Sequence, residues 1–120
     1  MSNNKELPND AVIELAVVGA VILYPSKFND IAKYIVTDKV WYDNRCKVLW
    51  NVLAGMIKRR DHVDLMTVTS TLDDSDYLQK VDNVFIIDCT ESAGTEGTIE
   101  IYAKKIYEKY LLRLVVESAK

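Results

Sequence analysis

The sequence has 120 residues, 49% of them hydrophobic, with 15 Lys and Arg against 18 Asp and Glu for a formal net charge of -3. That length supports one domain around one core, and the acidic balance argues against a free-standing module that holds DNA phosphates with clustered cations. The most apolar run, Ala11 to Leu23, is shorter than the ~20 residues a bilayer needs, and Met1 to Asp10 lacks the basic flank of a secretory signal.

Met1 to Leu7 is polar and expected to be a flexible N-terminus. Pro8-Asn9-Asp10 then opens a helix with Asp10 as N-cap and Glu14 near the positive end of the dipole. Nearly every face of the helix to Leu23 is apolar, which places it in the middle of the domain. Gly19 costs helix propensity there, and close approach of a neighbouring helix would explain it.

Tyr24-Pro25-Ser26 breaks this helix and starts a second, whose Phe28, Ile31, Ala32, Ile35 and Val36 share one face. In the connector from Thr37 to Asp43, Trp41 and Tyr42 are expected to fill the gap between helices. Asn44 caps a third helix, with Cys46, Leu49, Trp50, Leu53, Met56 and Ile57 on its inner face and Lys58-Arg59-Arg60 at its negative end. Asp61 to Asp64 forms a turn, and Asp64 caps a segment ending at Leu72.

Thr67-Val68-Thr69 and Val84-Phe85-Ile86-Ile87 are β-branched or aromatic, so propensity favours strands there and leaves helix against strand open. Thr90 to Gly97 reads as a loop. Thr98 starts the last helix, in which Ile99, Tyr102, Ala103, Ile106, Tyr107, Tyr110, Leu111 and Leu114 form a broad apolar stripe, widened by Leu112, Val115 and Val116. With no glycine or proline to stop that helix, Lys120 is expected to be the edge of a fragment.

No catalytic, cofactor-binding or metal-binding residue is expected. A phosphate-cradling loop ending in Gly-Lys-Ser/Thr is missing, since Gly94 and Gly97 are followed by Thr98-Ile99. His62, the one histidine, has Asp61 and Asp64 beside it but no nucleophile motif, and reads as a turn residue. Asp73-Asp74-Ser75-Asp76 lacks the glycine and the glutamate of a calcium loop and reads as a solvated connection. Cys46 and Cys89 have too few companions for zinc and read as reduced core residues, in keeping with a cytoplasmic protein. Tyr102, Tyr107 and Tyr110 could stack on bases, but their spacing beside leucines fits packing better. Lys58-Arg59-Arg60 and Lys104-Lys105 read as solvated helix surface.

The segment PNDAVIELAVVGAVIL, Pro8 to Leu23, resembles the opening of DnaB-type replicative DNA helicases, with Ala16-Val17-Val18-Gly19 matching its core. FNDIAKYIVTDKVWYDNRCKVLWNVLAGM, VDLMTVTSTL and IEIYAKKIYEKYLLRLV follow in the family's order, so the resemblance spans about Pro8 to Val116. Val12 stands where relatives often have an acidic residue, and Asp82-Asn83 where a Gly-Gly is frequent. The resemblance implies the all-α N-terminal domain of such a helicase, a compact orthogonal bundle of about six helices. It makes helices of 65–72 and 84–89, a globular head of 8–97, and the first arm of a helical hairpin of 98–120.

The parent it implies is a hexameric ring that unwinds DNA, hydrolysing ATP with magnesium in a RecA-like C-terminal domain outside these residues. The N-terminal domains would form a collar by pairing through their hairpins, and would dock the C-terminal domain of primase and a helicase loader. DNA would be met through the parent and not tightly by this domain. Tyr110, Leu111, Leu112, Leu114, Val115 and Val116 are the candidate protein interface, because they exceed what one helix face of a small domain needs. The alternative is a stand-alone helical adaptor or loader-like regulator of the replication machinery. The fragment is expected to be a monomer or a weak dimer.

Overall fold

The computed structural model describes Leu7 and residues 9–74 and 81–119. Pro8, the rest of the N-terminus and Ser75-Asp76 of the acidic stretch lie outside these. The described residues hold six α-helices and no strand: α1 (Ala11–Leu23), α2 (Phe28–Ala32), α3 (Asn44–Lys58), α4 (Leu65–Asp74), α5 (Asn83–Ser92) and α6 (Ile99–Ser118). Single 3-10 turns stand at Pro25–Lys27, Asp38–Val40 and Glu96–Thr98.

Helix α1 is the centre of the bundle. Asp10 caps it by accepting from the amide of Ile13, and Ala16 to Ile22 are all buried. Around it pack α3, α4, α5 and α6. A helix wrapped on all sides needs one place where a neighbouring backbone can come close, and Gly19 provides it: a Cβ there would collide with the carbonyl oxygen of Cys89 on α5.

The second helix is shorter than its apolar spacing predicts. After Ala32 the chain tightens into i to i+3 bonds, Tyr34 N to Ile31 O and Ile35 N to Ala32 O. This keeps Ile35 buried but turns Val36 out, 65% exposed. Asp43, one residue before the expected Asn44, caps α3 by accepting from the amide of Arg45. Trp41 fills the gap beneath it against Trp50, while the Tyr42 side chain stays at the surface. Past α3 the chain closes in a Schellman turn, with Asp61 N on Met56 O and Arg60 N on Ile57 O. Arg60 takes the left-handed conformation there, φ 64°.

Both segments with strand-like composition are helices. In α4, Asp64 caps the amide of Thr67, and the Thr69 and Thr71 hydroxyls bond back to the carbonyls of Leu65 and Thr67. Val68 and Leu72 point into the core. Helix α5 starts from Asp82, which caps Phe85, and buries Phe85, Ile86 and Cys89. It runs to Ser92, into the expected loop from Thr90. Spacing of apolar residues at i, i+1 and i+4 outweighs propensity, because burial against α1 yields more than the few tenths of a kcal/mol (~0.5) by which β-branching disfavours a helix.

The Gly19 contact gives a direct test. Gly19→Ala should gain up to ~1 kcal/mol of helix propensity yet lower stability by more than ~2 kcal/mol, because α1 and α5 must separate. Urea unfolding monitored by circular dichroism measures the net effect, and a stabilised variant would contradict the packing.

A candidate protein interface on the last helix

Helix α6 changes character along its length. In its first half Ile99, Ala103 and Ile106 are buried in the core, and Tyr102 packs beside them. The same inward line continues through Tyr110 to position 113, seven residues after Ile106, where the sequence places an arginine. Arg113 is only 6% exposed. Its Nη2 donates to the carbonyls of Lys39 at 3.2 Å and Val40 at 2.8 Å. Its guanidinium carbon stands 5.5 Å from the ring centre of Tyr42 and 5.9 Å from that of Tyr110.

The strap that receives Arg113, residues 37–43, is held from its other side by Glu14 of α1. Glu14 has no exposed surface. Its Oε1 accepts from the amides of Tyr42 at 3.1 Å and Asp43 at 2.9 Å, and its Oε2 from Tyr42 at 2.9 Å. A carboxylate thus satisfies the strap's N–H groups and a guanidinium its C=O groups, so two buried charges of opposite sign stabilise each other and the backbone between them. Burial pushes the Glu14 carboxyl above the usual carboxylate range; the bonds from Asp43 and Tyr42 and the charge of Arg113 only partly offset this. Neither residue is foreseen from the sequence as a structural pair. The available signals are a lone acid inside an apolar helix and an arginine in phase with the buried stripe.

Of the six candidate interface residues, five are brought together on the outside of the distal half of α6. Leu111, Leu112, Leu114, Val115 and Val116 are each at least 40% exposed. Tyr110 faces the other way, half-buried, its ring against Tyr107 and beside Arg113. At about 100° per residue the five apolar positions wrap roughly 200° of the helix, about twice the stripe that one neighbouring element covers.

The other sequence candidates stay local. The His62 ring is 2.9 Å from Asp64 and well exposed. It lies on the rim of an open hollow of about 650 Å³ that Leu23, Ile57 and Arg60 also line. Arg59 pairs with Asp61. Tyr107 packs between Tyr34 and Tyr110. Cys46 and Cys89 are free, buried and near each other; hydrogen bonding to the Cys89 thiol and burial push the Cys46 thiol far up, which makes it a poor nucleophile. Among the described residues, no three His, Cys, Asp or Glu side chains gather as metal ligands would. No single helix among them is long and apolar enough to cross a membrane, and the one pair that passes by composition, α1 with Pro25–Ala32, is bent by 116°.

Glu14 makes stability depend on pH in a specific sense. Its carboxyl is raised in the folded state from an ordinary value of 4.5, so the folded chain holds the proton at a pH where the unfolded chain has lost it. The contribution of Glu14 to stability is therefore fully present below pH 4.5 and falls as pH rises through the folded value. Asp43 and Asp64 run the opposite way. Burial raises the Asp43 carboxyl, but its bonds with Arg45 prevail and hold it low; the Thr67 amide and His62 hold Asp64 low. Subtraction isolates the effect: the stability of the native chain minus that of Glu14→Gln should decline with rising pH above 4.5. A difference that grows with pH would show a carboxyl lowered by folding.

Known proteins resemble this chain. The family described as DnaB-like helicase N terminal domain matches residues 6–108. The Replicative DNA helicase DnaC of Bacillus subtilis (strain 168) is 32% identical over 118 residues, covering 98% of this chain and 26% of the relative. The Replicative DNA helicase DnaB of Geobacillus stearothermophilus is 26% identical over 113 residues, covering 93% and 25%. The chain thus spans about a quarter of the length of these relatives. The crystal structure of the N-terminal domain of DnaB helicase from Mycobacterium tuberculosis superposes with a TM-score of 0.89 over 95% of this chain and 83% of that one. At 22% identity that likeness establishes the fold alone. With the family matched from the start of α1 well into α6, the chain belongs to the DnaB-like helicase N-terminal domain family.

Proposed function

We propose that this chain is the assembly and docking domain of a cytoplasmic replicative DNA helicase. In this reading it contributes to a collar on a hexameric ring and offers a surface to the C-terminal domain of primase and to a helicase loader. DNA unwinding, ATP and magnesium belong to the remaining three quarters or so of a protein of the relatives' length. The observation that carries the reading is the uncovered apolar arc of the distal half of α6. Leaving five aliphatic side chains in water forgoes ~1.5 to 3 kcal/mol for each one that a partner could fully bury. An arc twice as wide as one contact needs suits a helix with two neighbours, a second hairpin arm and another protomer.

Sedimentation equilibrium of the 120-residue chain checks the assembly half. Weak, reversible self-association is expected, abolished by Leu112→Glu without a fall in melting temperature, because Leu112 touches no core. A strictly monomeric chain at millimolar concentration would contradict it. Calorimetric titration with the C-terminal domain of the matching primase checks the docking half, and an absence of binding would contradict that.

A further inference from the structure

The geometry points to Arg113 as the positioning residue of the distal half of α6: through the strap at 37–43 it sets the direction in which the apolar arc leaves the head. The inference rests on the reading of that arc as an assembly surface. Beyond Ile106, α6 has no aliphatic side chain turned into the core; the inward positions are Tyr110, half-buried, and Arg113, buried. An aliphatic residue at 113 would add contact area but no direction, since dispersion contacts slide. A guanidinium whose Nη2 donates to two successive carbonyls, Lys39 and Val40, ties this point of the helix to the strap by directional bonds and so limits its tilt.

The strap is itself immobilised, its Tyr42 and Asp43 amides by Glu14 and its end by Asp43 acting as the cap of α3. The distal half of α6 is thus registered to the starts of both α1 and α3. Two apolar helices can pair at several rotations with nearly equal burial, so a preset direction selects which face of the arc meets which partner.

Distance measurement between two spin labels on the 120-residue chain tests this. Lys58→Cys on the exposed end of α3 and Glu117→Cys near the end of α6 take the labels, because both native thiols are buried. The parent pair should give one narrow distance. Arg113→Met should broaden the distribution at least about twofold while helix content persists, and Arg113→Lys, which keeps the charge but lacks the planar guanidinium beside Tyr42 and Tyr110, should fall between them. A merely structural role would lower the melting temperature and leave the folded molecules' distance narrow, which would overturn the inference. Should Arg113→Met fail to fold, Arg113→Lys decides alone: a width equal to the parent's overturns it. Loss of self-association in the native chain would end the assembly reading and leave this measurement valid.

Discussion

Burying an ionised carboxylate costs several kcal/mol unless hydrogen bonds and a counter-charge replace the water it loses. Glu14, fully buried on the central helix, meets part of that requirement with backbone rather than side-chain donors, accepting from the amides of Tyr42 and Asp43, and burial still leaves its carboxyl raised. Because those amides belong to the strap between α2 and α3, satisfying one side chain fixes the path of a segment with little regular structure of its own. The opposite face of the strap then presents free carbonyls, and Arg113 reaches them from a helix whose sequence position is 99 residues after Glu14. The first and last helices are joined through polar contacts to one strap at the edge of an apolar core.

The apolar packing and the polar clamp divide the work. Gly19 lets α5 lie against α1, and Ile99, Ala103 and Ile106 seat the first half of α6. These contacts make the bundle stable but say little about where the rest of α6 points. A helix of 20 residues extends about 30 Å, so a small tilt at its root becomes a shift of several ångströms at its tip. Under the proposed reading, in which partners meet that tip, the tilt has to be fixed, and a clamp made of directional bonds does this better than more hydrophobic area would.

Much of this was legible in the residues. Periodicity located α1, α3 and α6 and their buried faces, and Gly19 announced a close approach. The strand-like stretches around Thr67 and Val84 were readable as helices only through the family resemblance, since the deciding factor is what they pack against. Helix α2 was overread because Ile35 and Val36 keep helical spacing, whereas the bonds that end the helix early depend on tertiary room. Glu14 was readable as a complement to the helix dipole, but its partners lie 28 and 29 residues away. Arg113 was hidden among leucines and valines, where a cation usually marks the solvent face. Local pattern carries no information about a pairing whose two members are brought together only by the finished bundle.

A double-mutant cycle between Glu14 and Arg113 tests the central claim most directly. If the two side chains grip one strap from opposite sides, the stability losses of Glu14→Gln and Arg113→Met should overlap, with the double variant less destabilised than their sum by about 1 to 3 kcal/mol. Additivity within about 0.5 kcal/mol would mean that the two residues act independently and that the strap does not couple them.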